Sequence, residues 1–354
     1  MIAYQQALFP DLIAQFPSTR YQGSKAKLAD WIWEQIVGIE FNTCLDAFGG
    51  TGAVAYRMKQ AGKAVTYNDI LRFNHQFGLA LIENSHTRLS AEEVDRLLQP
   101  LAELQYPSFV KDTFHDIYFT DAENTWIDRT ITNIRQLTDP YKVALAFFAL
   151  CQACIIKRPY NLFHRKNLYI RFAEVERTFG NKTSWDTSFE EWFRIFMDEA
   201  NQAVFDNGQA NRALNADALS LADSYDLVYI DPPYISASGV GLDYFEFYHF
   251  LEGLAMYEEW ESHVDYQSKH RRLKRRPSIW SDKRRIYSAF DQFFHRFRDS
   301  IVVVSYRSDG IPSEQDLVAL LRKYKSYVQV EHYGQYKYVL SKNTDSRELL
   351  LVGK

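Results

Sequence analysis

Cysteine is scarce in this chain of 354 residues, which contains only Cys44, Cys151 and Cys154. An odd count in a chain of this length excludes a disulfide framework and is typical of a protein kept in a reducing compartment. Cys151 and Cys154 form a CxxC pair, but the pair lies in an apolar run and no second pair accompanies it. We therefore interpret these cysteines as core residues and predict no metal site.

Long apolar stretches are also lacking, since no run reaches the roughly 20 residues that a membrane span requires. The N-terminus has no basic lead, and Pro10 and Asp11 interrupt its apolar stretch, which argues against a signal peptide. Hydrophobic residues make up 46% and charged residues 24%, so a sizeable core is expected and wholesale disorder is not. The sequence predicts a cytoplasmic protein.

An overall excess of positive charge is absent as well, because the net charge is −4. Its distribution is uneven, however. Residues 269–285 contain nine Lys or Arg and one Asp, a local charge of +8 that leaves −12 for the rest. Concentrated cations suit phosphate binding, although a solvated loop or a partner site remain alternatives. We predict a basic loop over residues 262–286 with phosphate contacts at Arg271, Arg272, Lys274, Arg275 and Arg276.

Compact apolar runs predict buried strands, and helices lie between them, which indicates an α/β fold with a parallel sheet. We expect strands at residues 43–48, 64–68, 225–230 and 301–306, a helix at 53–61, and a final hairpin from residues 327–338 and 348–352. Between residues 70 and 211 the strand signal largely vanishes. Helices are predicted there at 91–104, 125–137, 141–156 and 188–204, the last with a possible capping box of Ser188 and Glu191.

A glycine turn, Asp46-Ala47-Phe48-Gly49-Gly50-Thr51-Gly52, follows the first predicted strand. Glycines between a buried strand and a helix let a ligand approach the backbone closely. Asp69 follows the second strand, where an acid can accept hydrogen bonds from ribose hydroxyls. Taken singly, a bare turn and a helix cap explain these features equally well. Together they favour a cofactor that carries a nucleoside.

The tetrapeptide Asp231-Pro232-Pro233-Tyr234 ends the third predicted strand, where ligands bind in open α/β sheets. An aromatic amine is a poor nucleophile because its lone pair is delocalised. The carboxylate of Asp231 and the carbonyl of Pro232 can each accept one N–H bond and so favour an sp³-like nitrogen. The two prolines stiffen the backbone, and Tyr234 can stack on a base. The alternative is a strand that ends in proline beside a capping Asp.

With these segments the sequence resembles the Dam-like, alpha-class DNA N6-adenine methyltransferases. The tetrapeptide carries the resemblance, together with the glycine turn and the segments Arg20-Tyr21-Gln22-Gly23-Ser24-Lys25 and Asn215-Ala216-Asp217. The resemblance implies a Rossmann-like, doubly wound sheet of seven strands whose last strand is antiparallel, and a mainly helical target-recognition insertion. It gives a catalytic domain of residues 1–72 and 211–354 and an insertion of residues 73–210.

The resemblance also implies that S-adenosyl-L-methionine is the cofactor and that the target adenine is flipped out of the duplex. Lys25 is expected to meet the cofactor carboxylate or a DNA phosphate, and Asp217 to meet the adenine of the cofactor unless it is a solvated turn residue. The implied cofactor-binding residues are Tyr21, Lys25, Asp46, Phe48, Gly50, Gly52, Asp69 and Asp217. The implied catalytic residues are Asp231, Pro232, Pro233 and Tyr234.

A second cationic stretch lies in the predicted insertion, at residues 157–171, and is interleaved with aromatic residues. It resembles a DNA-contacting stretch of the family, although Phe163 and His164 depart from the usual small residues there. We predict DNA contacts at Lys157, Arg158, Arg165, Lys166 and Arg171.

The expected function is methylation of adenine N6 at a specific sequence in double-stranded DNA, in a bacterial or phage-type enzyme that works at the nucleoid. Alternatives are the same chemistry on cytosine N4, an RNA adenine or a protein glutamine, and a DNA-binding protein with an inactive pocket. Double-stranded DNA is the expected partner. Whether a separately encoded restriction endonuclease accompanies the enzyme stays open, as do the recognition sequence and the oligomeric state.

Overall fold

A computed structural model describes residues 14–173, 182–222, 224–334 and 346–354. A single sheet of seven strands organises the chain, in the order β3-β2-β1-β4-β5-β7-β6. The strands are β1 (Thr43–Asp46), β2 (Ala64–Asn68), β3 (Arg212–Leu214), β4 (Leu227–Ile230), β5 (Ile301–Arg307), β6 (Val328–Tyr333) and β7 (Glu348–Gly353).

The first five strands run parallel, and β7 is antiparallel to both β5 and β6. Alternate residues of the central strands enter two separate cores. Leu227 and Tyr229 belong to one core, while Val228 and Ile230 belong to the other. A sheet buried on both faces needs such near-continuous apolar strands. The predicted seven-stranded, doubly wound sheet with an antiparallel last strand is confirmed.

The helices surround this sheet. In chain order they are α1 (Ala29–Ile36), α2 (Ala53–Gln60), α3 (Arg72–Gly78), α4 (Ala91–Leu98), α5 (Phe109–Thr113), α6 (Asp121–Ile134), α7 (Pro140–Ile156), α8 (Tyr169–Phe172), α9 (Lys182–Asp186), α10 (Phe189–Ala203), α11 (Tyr244–Phe247), α12 (His249–Ala255), α13 (Trp260–His263), α14 (Ile286–Arg296) and α15 (Glu314–Leu321). None of the helices in the described ranges is both long and apolar enough to cross a membrane.

Most predicted elements are present with shifted ends. α4 stops at Leu98 rather than at residue 104 because Pro100 disfavours helical backbone at the residue before it, and Gln99 is extended with ψ 151°. α6 begins earlier than predicted because Thr120 and Glu123 form a capping box. The predicted capping box at Ser188 is half formed, since the Ser188 side chain accepts from the Glu191 N–H but the reciprocal bond from the Ser188 N–H to the Glu191 side chain is not formed.

The helices between β2 and β3 pack onto the sheet. α7 is buried along almost its whole length and packs against α10. Phe148 of α7 belongs to the same core as Val65 and Tyr67 of β2. No strand occurs between residues 70 and 211 in the part of that range that the structure describes. The final hairpin is confirmed in β6 and β7, while residues 335–338 of the predicted strand lie outside the described residues.

Candidate active site

A cavity lies at the carboxyl ends of β1, β2 and β4, where three acids stand on neighbouring strands. Asp46 ends β1, Asp69 follows β2 and Asp231 follows β4, and all three line this one cavity. β1 and β4 are neighbours in the sheet but far apart in sequence, so the chain reverses its winding here. Ligands of open α/β sheets bind at such a point.

The glycine turn forms one wall of the cavity. Gly50 has φ 53° and Gly52, which precedes α2, has φ 82°, a left-handed backbone that favours glycine. β2 and the residue after it hold the turn in place. The hydroxyl of Tyr67 donates to the carbonyl of Gly50 at 2.7 Å, and the N–H of Gly50 donates to Asp69 Oδ2 at 2.9 Å. Asp69 is thereby fixed at the cavity, where its predicted ribose contact stays a prediction.

Two of the three acids, Asp46 and Asp69, form no ion pair with the described residues, whereas Asp231 is paired with Lys25. Burial raises the pKa of Asp46 to about 8, with the nearby charges of Asp231 and Asp69 adding to the rise. Burial likewise raises the pKa of Asp69 to about 6, against the lowering effect of hydrogen bonds from Leu71 and Gly50. Asp46 Oδ1 is buried and has no hydrogen-bond partner in the described part of the chain. A ligand with positive charge fits this cavity because it would relieve the repulsion among the acids.

Asp231 is held by a lysine and a tyrosine. Lys25 Nζ lies 2.9 Å from Asp231 Oδ2 and donates to the Tyr234 hydroxyl at 2.7 Å. That hydroxyl lies 2.7 Å from Asp231 Oδ1 and can donate to it. Burial opposes the charge of Lys25, but Asp231 and Glu348 outweigh it and raise the pKa of Lys25 above its ordinary value.

One predicted role is therefore corrected, and one stays a prediction. Lys25 is buried and its ammonium is engaged beside Asp231 and Glu348, but it also lines the cavity, so its contact with the cofactor carboxylate or a DNA phosphate stays a prediction. Tyr234 is 5% exposed and packs edge-to-face on Tyr306 with ring centroids 4.9 Å apart, which leaves no open face for a base. Pro233 lines the cavity and Pro232 is buried, which holds the backbone of the tetrapeptide against the core.

An aromatic stack lines the cavity beside Asp231. Tyr21 stacks between Tyr248, at a centroid distance of 4.4 Å, and Tyr244, at 5.7 Å. Tyr244 and Phe245 line the cavity, and neither was predicted from the sequence as a site residue. The signal was available in the dense aromatic run of residues 244–250, which follows the tetrapeptide closely. Tyr21 is covered by its two stacking partners, whereas Tyr244 and Phe245 are half-buried rings at the cavity.

The far wall comes from the basic loop. Residues 276–281 line the cavity, and Trp280 packs edge-to-face on Phe48 of the glycine turn, with ring centroids 4.9 Å apart. Asp217 also lines the cavity, where its Oδ1 accepts from the Leu219 N–H at 2.9 Å. Asp217 is thus both an exposed turn residue and a cavity residue, and its contact with a cofactor adenine stays a prediction.

Three predicted DNA contacts in the insertion are wrong because the side chains are buried and paired. Lys157 and Arg171 both bind Glu123, at 3.1 and 2.7 Å from its Oε1. Arg158 is 1% exposed and its guanidinium donates to the carbonyls of Leu162, Tyr118 and Arg165 and to Asn167. Arg165 and Lys166 are exposed, and their DNA contacts stay predictions.

The basic loop does present its cations to solvent. Lys274, Arg275 and Arg276 are exposed, although Arg275 also lies 3.4 Å from Glu246. Arg271 and Arg272 are only half-buried, and Arg272 is paired with Asp265 and Glu246. The sequence could not show this pairing because the acids that bind Arg272, Asp265 and Glu246, lie outside the cationic stretch of residues 269–285.

Comparison with known proteins agrees with this geometry. The family model of the D12 class N6 adenine-specific DNA methyltransferases matches residues 21–297. The range contains the glycine turn, the tetrapeptide and the basic loop.

Curated relatives extend the match over most of the chain. Type II methyltransferase M2.HphI of Haemophilus parahaemolyticus is 31% identical over 317 residues, which cover 87% of this chain and 88% of that protein. Type II methyltransferase M.CviAII of Paramecium bursaria Chlorella virus 1 is 23% identical over 339 residues, which cover 91% of this chain and 93% of that protein. The chain spans about half the length of type II methyltransferase M.FokI of Planomicrobium okeanokoites, at 26% identity.

Proposed function

This chain belongs to the D12 class of N6 adenine-specific DNA methyltransferases, and we propose that it moves a methyl group from S-adenosyl-L-methionine to N6 of an adenine flipped out of double-stranded DNA. One observation carries the proposal. Asp231 and the glycine turn at Phe48 and Gly50 open into the same cavity, so an amine held by Asp231 would face a ligand held by the turn.

The cavity fits the cofactor because Asp46 and Asp69, two of the acids that line it, are not paired with a cation among the described residues. S-adenosyl-L-methionine supplies, when bound, a methyl group on a positively charged sulfonium together with an ammonium group. The unpartnered oxygen of Asp46 can accept from that ammonium, and Asp69 stands where ribose hydroxyls would lie. We expect binding to lower the pKa of Asp46 from its value of about 8.

Asp231 and Pro232 act on the target amine. Each would accept one N–H bond from adenine N6, which would free the nitrogen lone pair for attack. The bound cofactor would supply the methyl group and keep the S–C bonding pair, and the nitrogen would release one proton toward Asp231 and solvent. Lys25 and Tyr234 hold the carboxylate rigidly during this step, which is electrostatic preorganisation.

Flipping is required because N6 lies within the base pair of a duplex. Tyr244 and Phe245 line the cavity, and their rings would offer a stacking surface to the extruded base. The exposed cations of the basic loop would bind phosphates, and the fact that this loop borders the cavity through residues 276–281 supports that role.

The test is the substitution Asp231→Asn, which keeps the side-chain shape and removes the charge. We expect methyl transfer to fall by at least about 10²-fold, while cofactor affinity, measured by calorimetry, changes little. The matched control is Asp226→Asn on the same strand segment, because Asp226 bonds the backbone of Asn42 and Thr43 away from the cavity. Near wild-type transfer by Asp231→Asn would contradict the mechanism.

A further inference from the structure

Glu348 is a buried carboxylate with no assigned role. It is the first residue of β7, it is fully buried, and the rest of that strand is Leu349 to Val352 followed by Gly353. A buried charge is costly unless it is paired and hydrogen-bonded, so its partners should explain its presence.

Two of the partners of Glu348, Lys25 and Tyr234, are the groups that hold Asp231. Its Oε1 accepts from the Ser305 hydroxyl at 2.6 Å and lies 2.7 Å from the Tyr234 hydroxyl. Lys25 Nζ lies 3.4 Å from the same oxygen. Lys25 and Tyr234 therefore each contact two carboxylates, Asp231 and Glu348.

The two carboxylates differ in access. Asp231 lines the cavity, whereas Glu348 does not and is sealed from solvent. Glu348 can therefore touch neither cofactor nor base in this structure, and any effect on the reaction passes through Lys25 and Tyr234.

We propose that Glu348 is a positioning residue for methyl transfer, which holds Lys25 and Tyr234 from the interior and thereby keeps Asp231 oriented and able to accept the amine hydrogens. The proposal rests on the function proposed above. It assigns a role to a residue more than one hundred positions from the tetrapeptide along the chain.

Glu348 and Asp231 share the same two donors, Lys25 and Tyr234. One ammonium stands between two carboxylates, so Glu348 takes part of the attraction that Lys25 would otherwise give to Asp231. The Tyr234 hydroxyl has one hydrogen, and Glu348 competes with Asp231 for it. Without Glu348, both donors would bind Asp231 fully and leave it a weaker acceptor for the N–H groups of adenine.

The pKa of Asp231 responds to this balance. Burial raises it to about 6, Lys25 opposes the rise, and Glu348 adds to it, while the Tyr234 hydroxyl lowers it. Two further groups face Asp231 from the sheet, namely Asp46 on β1 and Tyr229 on β4. The negative charges of Glu348 and of Asp46 both favour the protonated form of Asp231.

The test is the pH profile of single-turnover methyl transfer by Glu348→Gln. Transfer needs ionised Asp231, so the wild-type rate falls as the pH drops through the pKa near 6. Removing the negative charge of Glu348 lowers that pKa, so we expect the acid limb to move down by about one pH unit. We also expect the plateau rate to fall about tenfold and the cofactor dissociation constant to stay within about twofold.

The matched control is Glu331→Gln, on neighbouring β6, where the side chain accepts from Gln329 and is away from the cluster. Its pH profile should equal that of the wild type. If Glu348→Gln does not fold, Ser305→Ala carries the test. It removes one donor from Glu348, which then draws Lys25 and Tyr234 more strongly, so the acid limb should move up.

Two failures are distinguishable. A wild-type chain that binds no cofactor or produces no N6-methyladenine contradicts the proposed function. A wild-type chain that is active, combined with an unmoved acid limb in the folded variant, overturns the role of Glu348 alone. A cofactor affinity that collapses in Glu348→Gln also overturns it, because the role would then be structural support of the cavity.

Discussion

Two cationic stretches of this chain look alike in sequence and differ in the structure. Residues 157–171 combine Lys and Arg with several aromatic residues, and residues 269–285 combine them with Trp280. In the first stretch Arg158 is buried in the core, and Lys157 and Arg171 are paired with Glu123. In the second stretch Lys274, Arg275 and Arg276 face solvent. A local positive charge thus indicates phosphate binding only when its cations are not already paired or hydrogen-bonded inside the fold.

Arg158→Ala gives the largest expected effect on this comparison. The substitution leaves the carbonyls of Leu162 and Tyr118 without a donor and opens a cavity under the Tyr118 ring, which lies 4.3 Å from the guanidinium carbon. We expect unfolding to become easier by roughly 3 kcal/mol or more, measured in urea. Arg165→Ala, on an exposed neighbour, is the control and should change stability by less than about 0.5 kcal/mol. Equal stability of the two variants would break the comparison.

Glu123→Gln tests the same stretch from its acid. Glu123 receives a two-pronged contact from Arg171, at 2.7 and 2.8 Å, and an ion pair from Lys157. Burial alone would raise the pKa of Glu123, but these cations outweigh it and lower the pKa. We expect a loss of about 2–3 kcal/mol at pH 7.

The pH dependence of that loss has a definite sign. A carboxyl whose pKa is lowered on folding contributes its full stability above its unfolded pKa of about 4.3, and loses it as the pH falls through the folded pKa. The stability difference between wild type and Glu123→Gln should therefore shrink below about pH 4. A difference that is constant from pH 7 to pH 3, measured by chemical unfolding, would show that the ion pairs are not its source.

Neutralising the exposed stretch should change DNA binding and leave folding intact. For Lys274→Ala/Arg275→Ala/Arg276→Ala we expect DNA affinity at physiological salt to fall by at least about tenfold. The slope of log affinity against log salt should become shallower by up to about 3, since each lost phosphate contact removes about 0.9. Fluorescence anisotropy over a salt series measures both. An unchanged slope would exclude these residues as phosphate contacts.

The smallest effect is expected at the exposed end of the first stretch. Lys166 pairs with exposed Asp116 at 2.9 Å, a contact worth little in water. Lys166→Ala should leave stability within about 0.5 kcal/mol and, if Lys166 meets a phosphate, make the salt slope shallower by about 1. A slope equal to that of the wild type would confine phosphate binding to the basic loop.

The features that sequence could predict are local. The strands that lead to Asp46, Asp69 and Asp231 are short apolar runs, and the carboxylate at the end of each run can be recognised as a site candidate from the sequence alone. The three-residue strand β3 carries no pattern of its own and forms because β2 offers an edge, which sequence reasoning missed. The number of strands and the antiparallel last strand followed from family resemblance rather than from periodicity.

The features that sequence could not predict depend on distant partners. The sequence around Lys25 does not indicate that Lys25 binds Asp231. Likewise, the sequence around Glu348 does not indicate that Glu348 contacts Tyr234, which is more than one hundred residues away. The one available signal was a lone acid at the head of an apolar strand. Burial of Arg158 and of the Tyr234 ring is likewise decided by packing across the fold, so both roles had to be corrected.

The central claim is that Asp231 presents an adenine amine to a methyl donor held in the same cavity. Genomic DNA without modifications should be incubated with the chain and S-adenosyl-L-methionine, and modified bases mapped by single-molecule sequencing. We predict N6-methyladenine in one defined sequence context, and its loss with Asp231→Asn. Modification of cytosine alone, or unchanged adenine methylation by Asp231→Asn, would contradict the account.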